Sequence, residues 1–133
     1  MRKSVILDKS YSFALKIIEL YRYMRESQKE FELSKQILRS GTSIGANSEE
    51  ASGAQSKKDF IAKFSIAYKE ARETHYWLRL LKDSSFIEEK KANELIVECE
   101  ELQKILSSIL LTSTLMASLF FNIYIPLISI SIY

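Results

Sequence analysis

The sequence predicts an all-α protein, an antiparallel up-down-up-down four-helix bundle, and three observations carry that expectation. Three glycines and one proline in 133 residues leave too few turn-formers for a β fold, while 47% hydrophobic and 27% charged residues suit amphipathic helices. Apolar residues recur three and four apart in four successive segments, the spacing that lines one face of a helix. The polar stretches between segments are short, so neighbouring helices must run antiparallel.

In the first segment, Ser10, Phe13, Ile17, Leu20 and Met24 form the stripe, and Lys16, Glu19, Arg22 and Arg25 face water. The polar stretch Glu26–Glu30 separates it from a second stripe through Leu33, Ile37, Ser40, Ile44, Asn47 and Ala51. That seam is partly polar. Gly41 and Gly45 lower helix propensity by roughly 1 kcal/mol each relative to Ala, which points to close packing beside them. Gly53 ends the segment, and Ser56 is an N-cap with Asp59 three residues on.

Phe60, Phe64, Ala67, Ala71, Thr74, Leu78 and Leu81 keep an unbroken alternation of four and three, the period of helices that cross at shallow angles. Asp83-Ser84-Ser85 offers an N-cap ahead of Phe86. Ala92, Leu95, Cys99, Leu102, Leu106 and Ile109 make the fourth stripe, with Cys99 read as a small buried hydrophobe.

Composition restricts the chemistry. One cysteine allows no internal disulfide, and with a single histidine there is no metal cluster; no catalytic, cofactor or metal residue is assigned. The chain shows no phosphate-binding glycine loop, nucleophile elbow or HExxH motif. A di-metal carboxylate bundle needs Glu three residues before its histidine, whereas Arg72 precedes His75. The expectation is therefore a binding protein, not an enzyme.

The net charge of +2, from 19 basic and 17 acidic residues, is too small to mark a nucleic-acid binder by itself. Local clusters are more informative. Lys57 and Lys58 open the third helix, Lys63 follows, and Arg39 lies on the second; phosphates bind where such cations meet free N–H groups at a helix N-terminus. The Glu-rich stretch from Glu88 to Glu101 reads as a solvated face. Tyr76 and Trp77 point to different sides of the third helix, so one enters the core while the other meets a partner subunit.

Leu38-Arg39-Ser40-Gly41-Thr42-Ser43-Ile44-Gly45-Ala46-Asn47, Glu49-Glu50-Ala51 and Ala54 to Phe60 closely resemble the 23S rRNA-intervening sequence proteins. The likeness continues through Ile66 to Thr74 and Tyr76 to Leu81, and spans about residues 8 to 112. It implies a left-handed bundle assembled as a ring-like homopentamer and no reaction. A related accessory protein of diversity-generating retroelements binds nucleic acid and a reverse transcriptase. The resemblance thus implies an adaptor for RNA or ribonucleoprotein assembly. Matching positions singled out are Arg39, Ser43, Asn47, Glu50 and Glu73; their structural reading has Asn47 bonding to a neighbouring helix and Glu73 pairing with a base such as Arg39.

The far end differs from that family. Every charged residue lies at or before Lys104, leaving residues 105–133 uncharged and long enough to cross a bilayer. Pro126 and the hydroxyls of Ser107, Ser108, Thr112, Ser113 and Thr114 argue instead for a bundle helix ending near Ser118. The expected division is a bundle domain over 1–118 and a hydrophobic tail over 119–133, which packs on the bundle, enters a membrane or is an atypical coding end. The N-terminus lacks the apolar run of a signal peptide, which favours a cytoplasmic location. The alternatives to an RNA adaptor are a protein-interaction scaffold and a tail-anchored bundle.

Overall fold

A computed structural model describes residues 4–132, with side chains described through Met116 and at Leu119 and Asn122. It contains α1 (Val5–Glu26), α2 (Leu33–Ser52), α3 (Lys57–Asp83) and α4 (Glu89–Ile132). Each helix packs on the next, and α4 closes the ring against α1.

Pairs across every seam establish antiparallel neighbours. On α1 and α2, Ile17 lies against Gly41 and Ser10 against Gly45. Between α2 and α3, Arg39 meets Glu73 while Glu50 meets Lys63. Between α3 and α4, the Cys99 thiol reaches Ala71 and Lys82 reaches Asn93. Lys9 pairs with Glu101 and Lys16 with Glu98 across the closing seam. In each case the partner's number falls as the first rises, as the short connections require.

The heptad stripes are the core. Phe13, Ile17, Met24, Ile37, Ile44, Leu78, Leu95, Cys99, Leu102 and Leu106 are buried, each large aliphatic chain contributing about 1.5–3 kcal/mol by leaving water. Phe60 and Ile109 are half-buried at the margin. Gly41 is where α1 and α2 come closest: a Cβ there would lie 2.8 Å from two carbons of Ile17.

Local sequence explains the ends. Ser56 accepts from the backbone N–H of Asp59 at 3.1 Å, the N-cap expected for α3. The α1–α2 turn uses Glu30, whose Oε1 accepts from Glu32 and Leu33 and whose Oε2 accepts from Ser34, so one carboxylate satisfies three N–H groups opening α2.

The α3–α4 connection departs from the expected N-cap. Ser84 ends α3, Ser85 takes a left-handed conformation with φ 63°, and the N–H groups of Ser85 and Phe86 return to the carbonyls of Lys82 and Leu81. This pair of bonds is a Schellman closure, which satisfies the last carbonyls of α3. Consequently Asp83-Ser84-Ser85 terminates one helix, and α4 begins at Glu89, while Ile87 is buried beneath the turn.

The second departure concerns α4, which runs to Ile132 instead of ending near Ser118. No glycine or capping turn interrupts its hydroxyl-rich stretch, and Ser113 is still buried. Among the described residues, no helix is long and apolar enough to cross a membrane. Most side chains of the expected tail, 119–133, lie outside the described residues.

Candidate functional site

The residues singled out on α2 and α3 build a polar belt across one seam. Arg39 places one guanidinium nitrogen 2.6 Å from Glu73 Oε1 and another 3.4 Å from Glu70 Oε2. Trp77 donates its indole N–H to the same Glu73 oxygen at 3.3 Å. Beneath them, Thr74 Oγ1 lies 2.8 Å from the Glu70 carbonyl and 3.0 Å from Ser40 Oγ, so it can donate to the first and accept from the second.

Electrostatics follow from these bonds. The hydrogen bond from Arg39 outweighs partial burial and, aided by Trp77, holds the Glu73 carboxyl below its ordinary range. The bond to Glu73 likewise raises Arg39. Glu70 is the less obvious member, since its side chain is only 8% exposed. It sits beside Ala67, Ala71 and Thr74, one position off the apolar stripe, where period alone assigns it to the surface. The belt joins helices and sets their register; it holds no activated nucleophile.

The other matching polar residues act locally. Ser43 donates to the Arg39 carbonyl, and Asn47 Nδ2 donates to the Ser43 carbonyl at 2.8 Å. Asn47 therefore does not bond to a neighbouring helix, contrary to expectation. It is half-buried on the flank of α2, and buried Ser48 takes the more central position.

The expected cations do not converge. Arg39 is held by two carboxylates, and Lys63 pairs with Glu50 at 3.0 Å, the hydrogen bond that chiefly raises its pKa. Lys57 lies 5.8 Å from the Phe60 ring centroid, beside a depression formed with Ala54, Gln55 and Ser56. Lys58 is exposed. Glu73, which holds Arg39, is about 24 Å along α3 from Lys57 at 1.5 Å per residue.

Tyr76 and Trp77 differ in exposure. Tyr76 is 45% exposed, and Trp77 packs against the core. Their rings are stacked, with centroids 5.2 Å apart.

Remaining reactive groups are enclosed. Burial, followed by the charge of Glu100, pushes the Cys99 thiol up to about 12, and that thiol donates to the Ala71 carbonyl at 3.2 Å. His75 Nε2 lies 3.4 Å from Glu100 without a properly aligned hydrogen bond. Among the described residues, no group of three His, Cys, Asp or Glu could hold a metal ion.

The chain resembles a crystallised protein of unknown function from the S23 ribosomal protein family of Bacteroides thetaiotaomicron, with 51% identity and a TM-score of 0.79. The match covers 80% of this chain and 98% of that one. No curated protein matches the sequence. The family model described as 23S rRNA-intervening sequence protein matches residues 2–108, from before α1 to Ser108 of α4. On that match and this four-helix architecture, the chain belongs to the 23S rRNA-intervening sequence protein family.

Proposed function

We propose that the protein is a non-enzymatic, homo-oligomeric bundle that acts as an adaptor for RNA or ribonucleoprotein assembly. The observation carrying this reading is Lys57-Lys58 at the start of α3. Neither has an ion-pair partner among the described residues, and the first-turn N–H groups not used by the Ser56 cap add positive potential there. The family name supports RNA as the polyanion, and a homopentameric ring would repeat the lysine pair around its axis.

The test is binding of the full-length protein to structured RNA at low and high salt, with oligomer mass measured on the same sample. An oligomer whose affinity falls steeply with salt, and is lost on Lys57→Glu with Lys58→Glu, supports the adaptor. A folded oligomer that ignores RNA removes this reading and leaves a protein-interaction scaffold.

Exposed Leu111, Leu115, Met116 and Leu119 in the uncharged run favour a second reading, association of that end with a membrane. Co-flotation of the full-length protein with lipid vesicles supports this reading, and its absence from the floated fraction refutes it.

A further inference from the structure

The total charge conceals an asymmetry that burial makes visible. On the side of α3 turned away from the core, Lys58, Ser65, Lys69, Arg72, Tyr76 and Arg79 follow at intervals of seven, four, three, four and three, and all are exposed. They therefore form one stripe along the helix, opposite buried Phe64, Ala67, Ala71, Thr74 and Leu78. From Lys58 to Arg79 it extends about 32 Å at 1.5 Å per residue.

The stripe's four cations have no carboxylate partner among the described residues. The nearby acids are few: Asp59 and Asp83 stand at its ends, Glu73 is occupied by Arg39, and Glu100 faces His75. In contrast, α4 carries Glu94, Glu98, Glu100 and Glu101 close together. Of these, Glu98 and Glu101 pair with Lys16 and Lys9, so part of that negative charge is neutralised within the bundle while the α3 stripe is not.

We propose that this outer face of α3 is a phosphate-tracking surface for double-helical RNA. The inference rests on the RNA-adaptor reading and assigns the face and ligand form. Length and charge complement a phosphate backbone, and phosphate contacts position a nucleic acid without reading its sequence. Tyr76 argues against single strands: its ring is already stacked on Trp77, with the Arg79 guanidinium carbon 6.0 Å from its centroid. Single-strand binders instead offer open aromatic rings for successive bases.

The experiment compares full-length protein with a Lys69→Gln, Arg72→Gln, Arg79→Gln variant on a short RNA duplex, between about 50 and 200 mM salt. The control, Lys90→Gln, Lys91→Gln, Lys104→Gln, removes the same charge from α4. Helicity and oligomer mass establish that each is folded. Loss of three phosphate contacts makes the slope of log affinity against log salt shallower by about three and weakens low-salt binding about tenfold or more. The control keeps the wild-type slope. If wild type binds RNA and the α3 variant matches it, the stripe assignment fails while the adaptor stands. If wild type binds no RNA, both fail. Tighter binding to unstructured RNA of equal length overturns the double-helix assignment.

Discussion

Arg39 on α2 and Glu73 on α3 meet at 2.6 Å across the bundle, and the same guanidinium reaches the nearly buried carboxylate of Glu70. Arg39→Ala removes this shared partner and leaves Glu70 with little water to compensate. The expected loss is about 2 kcal/mol, reduced from a fully buried pair because Arg39 is half-exposed. Adding Glu70→Gln should recover part of that loss, and chemical denaturation of the single and double variants measures it. An Arg39→Ala protein as stable as wild type would show that the belt contributes nothing.

Gly41 tests the close approach of α1 and α2. An added Cβ gains about 1 kcal/mol of helix propensity but meets stiff, β-branched Ile17 at 2.8 Å. Overpacking of this kind costs about 1–3 kcal/mol, so Gly41→Ala lowers the melting temperature. Combining it with Ile17→Ala, which removes both γ carbons, relieves the contact and makes the glycine substitution less damaging, which a thermal double-mutant cycle detects.

Glu30 introduces pH dependence. Partial burial alone raises its pKa, but backbone bonds from Leu33, Ser34 and Glu32 outweigh burial and leave it below the ordinary Glu value. Because the folded value is depressed, its contribution is present above the unfolded pKa and fades as pH falls through the folded one. Glu30→Ala therefore costs about 1 kcal/mol near neutrality, as for loss of a helix cap. The difference from wild type narrows in acid; denaturation curves across that range supply the measurement.

Cys99 is fully enclosed, and burial raises its thiol to about 12. Thiolate is the reactive form, so a thiol reagent labels the native protein slowly at neutral pH and the denatured chain fast. Rapid native labelling at the denatured rate would contradict this enclosure.

Much of this architecture is written in local periodicity. The unbroken four-and-three alternation of α3 identifies its buried face, and Ser56 with Asp59 marks where the helix starts. The α3–α4 corner is less legible, because Asp and Ser can cap a helix start as readily as surround its end. Only the left-handed turn at Ser85 and the bonds returning to Leu81 and Lys82 distinguish these roles.

The sequence alone determined four amphipathic segments, their core stripes and antiparallel order, because these follow from helical period and short connections. Tertiary structure decided which polar side chains share a partner. Residues remote in sequence meet across a seam, so Arg39 and Lys63 became bound to carboxylates while Lys69, Arg72 and Arg79 remained exposed. Composition counts all five charges alike; packing separates those neutralised within the bundle from those turned towards solvent.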